Sequence, residues 1–244
     1  METMKDKKHD TAKKGNTSEE HSEFEVFESA EVLQDRLEES QDFFDKNKNA
    51  ILIAVGVVVA AVAGYFLYGV NLEKQNTEAQ AELAPAVFYF EKDSLGKALN
   101  GDGNLTGGFL EIADEYSGTK AANLATYYAG VSYMKMGEYA KAITHLDAFS
   151  AKDELVQARA YALVGDANVE LEKYPEAISS YKEAIAYKQN KEFTPSYMMK
   201  LAFTYEAAGD NAKALDTYND LLAKYPKVQE ANDAKKYAAI LAAK

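Results

Sequence analysis

The apolar and polar positions divide the chain into five segments. Residues 1–22 are polar and charged with no apolar period, which predicts a disordered tail. Across residues 23–49, Phe27, Ala30, Leu33, Leu37 and Phe44 recur near helical spacing, which predicts a short amphipathic helix. Residues 50–70, AILIAVGVVVAAVAGYFLYGV, are 21 residues without a charge. As a helix they reach about 31 Å, the hydrocarbon thickness of a bilayer. Tyr65 and Tyr68 stand near one end, where amphipathic rings favour the interface. A core helix seldom runs so long without a polar residue, and a signal peptide has a shorter apolar stretch and no long leader before it. The segment is therefore read as a transmembrane helix.

Residues 71–120 read as a linker helix and a divergent helical hairpin. Within them, residues 72–92 continue as a helix interrupted near Pro85. Gly108–Tyr116 and Ala121–Ala129 read as further helices, with Gly118 ending the first. Residues 121–244 repeat themselves. One copy reads YYAGVSYMKMGEYAKAITHLDAF (127–149), the next YALVGDANVELEKYPEAISSYKEAI (161–185), and the third MKLAFTYEAAGDNAKALDTYNDLLAKYP (199–226). Gly130 and Gly165 coincide, as do Ala142, Ala177 and Ala214, and Leu146, Tyr181 and Tyr218. Small residues let the two helices of a hairpin approach, and the large ones fill the space between. Gly137 and Gly209 fall in the turns, where a positive φ is tolerated. A period near 34 residues with this pattern is that of the tetratricopeptide repeat (TPR). Val228, Ala231, Ala234, Tyr237, Ala238 and Leu241 form a last apolar stripe that would cap the stack. The fold class is all-α: one transmembrane helix followed by a TPR-type α-solenoid of about three repeats.

Charge adds an orientation. The chain carries a formal −12, divided as 14 acidic against 8 basic residues in 1–49 and 25 against 19 in 71–244. Neither part offers the basic face that nucleic acid requires. The twenty residues before the span hold Arg36, Lys46 and Lys48, and the twenty after it hold only Lys74. Basic residues stay inside, so the expected topology is N-terminus in the cytoplasm and repeats outside. The segment 23–49 serves either as a solvated spacer or as a docking handle.

Little in the sequence points to chemistry. There is no cysteine, and hence no thiolate nucleophile or sulfur-ligated metal. His9, His21 and His145 are scattered. Asn100, Asp102, Asn104, Thr106 and Glu111 echo a calcium loop. Leu105 takes the position that needs glycine, so the stretch is read as a turn between helices. No phosphate loop, dinucleotide fingerprint or nucleophile elbow is present. The expectation is a non-enzyme without metal, cofactor or small-molecule substrate.

The acidic tail ending in RLEESQDFFDKNK, the single span, and a helical region beginning near FYFEKDSLGKALNGDGN together resemble the YfgM-like family of bacterial inner-membrane proteins. GFLEIADEYSGTKAANLATYYAGVSYMKMGEYAKAI carries most of the likeness, which covers residues 24–244. The resemblance implies a periplasmic TPR domain and association with Sec translocon subunits, periplasmic chaperones or emerging secreted chains. It implies no catalytic residue. Placed in the repeat register, the concave face receives Tyr127, Val131 and Met134 from the first copy, Arg159, Asp166 and Glu170 from the second, and Met199 and Phe203 from the third. These are the candidate protein-binding groove, suited to apolar helices or unfolded segments. The alternative is that they pack against the upstream hairpin or the capping helix. An envelope assembly factor, or a regulator acting through the tail, would use the same parts.

Overall fold

A computed structural model describes residues 30–103 and 107–243; the expectations for residues 1–22, for Phe27 and for Asn104, Leu105 and Thr106 lie outside the described residues. Among the described residues there are ten helices and no strand: α1 Ala30–Glu91, α2 Leu95–Asn100, α3 Phe109–Glu115, α4 Lys120–Lys135, α5 Tyr139–Ala148, α6 Glu154–Glu170, α7 Tyr174–Ala186, α8 Thr194–Ala207, α9 Asn211–Lys224 and α10 Glu230–Ala242. The chain divides between Ala63 and Gly64 into two units.

The first unit is the N-terminal part of α1. α1 is the one helix among the described residues long and apolar enough to cross a membrane, and none of its most apolar stretch is buried within the protein. Leu52, Val58 and Val62 are exposed. Apolar side chains in that number are stable only against another apolar phase, which a bilayer supplies.

In the second unit every helix packs on its neighbour in the chain from α2 to α10, and α4 also meets α6 while α8 meets α10. Nearest-neighbour packing of this kind is a solenoid. The hairpins close because small residues on one helix admit large ones from the next. A methyl group placed on Gly130 would lie 2.6 Å from Leu146 Cγ, and one on Gly165 would lie 2.7 Å from Tyr181 Cε1. Ala142, Ala177 and Ala214 are completely buried, as is Tyr218. The small–large complementarity expected from the repeats is what holds the hairpins together.

The turns share one backbone design. In the first repeat the Glu138 N–H reaches back to the Tyr133 carbonyl at 2.9 Å, in the second Lys173 N–H reaches Asn168, and in the third Asp210 N–H reaches Tyr205, both at 2.8 Å. This is the hydrogen bond of a Schellman cap, whose penultimate residue has a left-handed φ. Gly137 and Gly209 take it, at +75° and +81°. In the second repeat it falls on Glu172, at +58°. A fourth copy lies upstream: the Ser94 N–H reaches the Tyr89 carbonyl at 2.9 Å, with Asp93 at φ +56°. Ala98, four residues beyond Ser94, is buried completely like Ala142, four beyond Glu138. The end of α1 and the short α2 therefore form a degenerate hairpin of the same design.

Here the structure corrects the sequence reading at Pro85. α1 runs through it to Glu91 without a break. Proline removes one N–H and displaces the carbonyl four residues back, which here belongs to Ala81, an exposed residue. The opposite face compensates, because Asn76, Ala79, Leu83 and Ala86 are buried in the core with Leu99, Phe109 and Ile112. A buried face of that length outweighs one lost hydrogen bond. A second correction concerns α4, which unites Ala121–Ala129 with the first copy in a single helix capped by Thr119, whose hydroxyl accepts the Ala122 N–H at 3.1 Å. α3 and the capping helix α10 fall where expected, and Gly118 takes a φ of +88° beyond the end of α3.

Candidate functional site

α4, α6 and α8 are the first helices of the three hairpins and carry all eight predicted groove residues. Periodicity explains why one side of each stays free: the first helix of a hairpin must bury its small residues against the second, and this turns the positions one residue beyond them, Val131, Asp166 and Phe203, away from that contact. Val131 and Asp166 are half-buried and Phe203 is 41% exposed.

The structure brings Met134, Asp166 and Glu170 into one open cleft of about 440 Å³, together with Tyr139, Val169, Tyr181 and Lys200. Asp166 is its polar centre. Lys200 Nζ stands 2.6 Å from both carboxylate oxygens, and the Tyr181 hydroxyl donates to the same carboxylate at 2.6 Å. Burial, then this bond to Asp166, pushes the Tyr181 phenol far up. Glu170 is exposed, and beside it the Tyr139 phenol is raised by burial and by the Glu170 charge.

The remaining candidates separate. Tyr127 is half-buried, its ring 5.0 Å from Phe149 and 6.0 Å from Tyr128. Val131 and Met134 lean on the same upstream core. Met199 is 7% exposed and belongs to the downstream core. Phe203 packs edge-on against Tyr237 of α10 at 5.1 Å, so the capping helix takes part of its surface. Arg159 is exposed, and its charge is felt by the phenols of Tyr127 and Tyr197. His145 lies elsewhere, stacked on Tyr133 at 5.4 Å between centroids.

Sequence reasoning missed Lys200, Tyr197 and Tyr139, and also Leu124 and Leu155, which are exposed on α4 and α6. The signal for Lys200 was present in the spacing. It stands 34 residues after Asp166, one repeat on, where neighbouring inner helices come side by side. Among the described residues no three His, Cys, Asp or Glu side chains cluster as metal ligands would. Asp102, from the loop that echoed a calcium site, accepts the Tyr89 hydroxyl at 3.0 Å.

Residues 127–192 and residues 196–227 each match a tetratricopeptide repeat family model. The fold is similar to that of a Podosopora anserina kinesin light chain with nearly identical TPR-like repeats, at 12% identity and TM-score 0.51, covering 68% of this chain and 86% of that one. A variant of that same protein gives TM-score 0.50 at the same identity. The protein MamA is similar at 20% identity and TM-score 0.49 over 70% of this chain and 87% of its own. No curated protein matches the sequence. The matched segments are tetratricopeptide repeats, and among the described residues one helix is long and apolar enough to cross a membrane.

Proposed function

We propose that this chain is a membrane-tethered adaptor whose TPR array holds protein partners at the outer face of a bacterial inner membrane. TPR arrays are protein-interaction scaffolds, and that much follows from the repeats themselves. The single observation that supports a groove-binding mode is the inner face of α4, α6 and α8. There, half-buried Val131 and the exposed ring of Phe203 share one register position, and Met134 lines an open cleft with Asp166, Glu170 and Lys200. Such a surface fits an apolar helix or an extended segment better than a small molecule, which would call for enclosure.

The likeness of tail, span and repeats to the YfgM-like family supports Sec translocon subunits, periplasmic chaperones and emerging secreted chains as the partners. The bias of Arg36, Lys46 and Lys48 against Lys74 supports a cytoplasmic N-terminus. Tethering raises the local concentration of the array near its partners, so weak contacts suffice. Residues 1–22 would be a cytoplasmic tail, 23–49 a juxtamembrane helix, 50–70 the span, 71–120 the linker helix and divergent hairpin, and 121–244 the repeats.

Crosslinking from photoreactive residues at Tyr127 and Phe203 in intact cells tests the reading. Translocon subunits and many secreted chains are the expected products. A single stoichiometric envelope partner would make the chain an assembly factor instead. Val131→Asp should weaken capture while helical content stays near wild type, and unchanged capture would remove the inner face from consideration. Protease added outside the membrane should digest residues 71–244 and spare the tail.

A further inference from the structure

The inner stripe of α6 is charged at both ends with opposite sign. Arg159 and Glu170 are both exposed and eleven residues apart, which is three turns to within about 20°, so they lie in one line roughly 16 Å apart. Between them Asp166 is already satisfied by Lys200 and Tyr181. By repeat register, Val131 and Phe203 take the place of Asp166 on the inner helices to either side.

Arg159 is the only arginine beyond the apolar segment, and no ion pair engages it among the described residues. Its neighbours are the phenols of Tyr127 and Tyr197, whose pKa values burial raises and the Arg159 charge draws back. A guanidinium offers five donors in a planar fork, and phenol hydroxyls can donate beside it. That set is complementary to a carboxylate. In a domain with 25 acidic against 19 basic residues, most of the surface turns an acid away, so a free cation on the inner face is a selective landing point.

We propose that the inner face takes its partner segment in one direction: an apolar centre between Val131 and Phe203, an acidic side chain over Arg159 and a basic side chain over Glu170. This rests on the inner face being the binding surface, and it adds the charge pattern and polarity of the occupant.

The test uses the full chain in detergent micelles and fluorescence anisotropy with synthetic peptides. One peptide has an apolar centre flanked by Glu and Lys, and its control carries Gln at both positions. Each is made with the charges spaced for an extended chain, about five residues, and for a helix, about eleven. One charged peptide should bind about fivefold more tightly than its control, the upper range for an exposed ion pair. Arg159→Gln and Glu170→Gln should each narrow the charged peptide's advantage over its Gln control. Equal binding of charged and control peptides, or equal loss of both on Arg159→Gln, overturns the charge assignment and leaves the apolar groove standing. If no peptide binds and Val131→Asp leaves cellular crosslinking unchanged, the inner face is not the binding surface and this inference falls with it.

Discussion

Gly130→Ala puts the packing argument to its sharpest test, because a helical glycine is ordinarily improved by alanine. In an exposed helix interior the change stabilises by up to about 1 kcal/mol. At Gly130 the new methyl would stand 2.6 Å from Leu146 Cγ, 2.9 Å from Cδ2 and 3.2 Å from the Leu146 backbone nitrogen. Carbon atoms in contact prefer about 3.5–4.0 Å, so the shortfall is roughly 1 Å. Leu146 is 2% exposed, so its branch carbon has nowhere to swing, and α5 must shift away from α4. Overpacking of this kind costs about 1–3 kcal/mol, and backbone involvement places it in the upper part of that range. After the helix-propensity gain, the expected net loss is about 1–2 kcal/mol, or roughly 2–8 °C in melting temperature for a domain of this size. Urea and thermal unfolding of the full chain in micelles, followed by circular dichroism and tyrosine fluorescence, measures it. Gly96→Ala is the control, since its surroundings are open and it should be neutral or stabilising. Leu146→Ala alone should cost about 2–5 kcal/mol, and the double variant should cost less than the sum by about 1 kcal/mol or more. A Gly130→Ala protein as stable as wild type, or an additive double variant, would refute the close approach of α4 and α5.

The turn design predicts opposite effects at equivalent positions. Gly209→Ala forces a methyl-bearing residue to φ +81° and should cost about 1 kcal/mol, whereas Glu172→Gly at φ +58° should be neutral or slightly stabilising; denaturation midpoints that move the other way contradict the shared turn. Asn76→Ala leaves the Ala121 N–H, now held at 3.0 Å by the Asn76 amide oxygen, buried without a partner, and should cost about 1–3 kcal/mol; an unchanged midpoint would mean that α1 does not anchor α4. At high pH the raised tyrosines set the limit. A hydrogen bond to Glu82 lifts Tyr116 from 10.0 to about 12, and burial followed by bonds to Asp166 and Glu206 drives Tyr181 and Tyr218 higher still. Folding therefore favours the neutral phenols, so their contribution is complete below pH 10.0 and is lost as pH rises through about 12. Tyrosinate absorbance should appear together with loss of helical signal, and phenols that titrate at their ordinary value in an intact fold would contradict the bonds.

The repeats were readable because their logic is local. Gly130 and Gly165 must be small, Gly137 and Gly209 must take a positive φ, and Tyr218 must fill a gap, so each leaves a mark in a single sequence. The upstream hairpin was legible only as a divergent one within residues 71–120, without its turn or its exact helices. Its turn uses Asp93 where glycine would announce itself, its second helix is six residues long, and Pro85 looks like a break. Only tertiary cover, from residues 13 to 45 positions away in the bonds made by Tyr89, Tyr116 and Ala121, makes a helix of it. The inner face was legible as a register and not as a set of contacts. That Met199 would be core and Phe203 would lean on α10 depends on how far α10 folds back, which no periodicity states. The Asp166–Lys200 pair joins two repeats, and a reading that takes each repeat separately passes over it.

The last turns of α1 also close an open end. With Phe90 against Phe109 and Tyr128, at 6.2 and 5.2 Å between ring centroids, and Ala79, Leu83 and Ala86 beneath, the stalk does for the start of the stack what α10 does for its finish. A soluble fragment begun after Pro85, or in the glycines at 101–108, would bare that surface, and such fragments should stick end to end into oligomers. Fragments that begin upstream of Asn76 should stay monomeric.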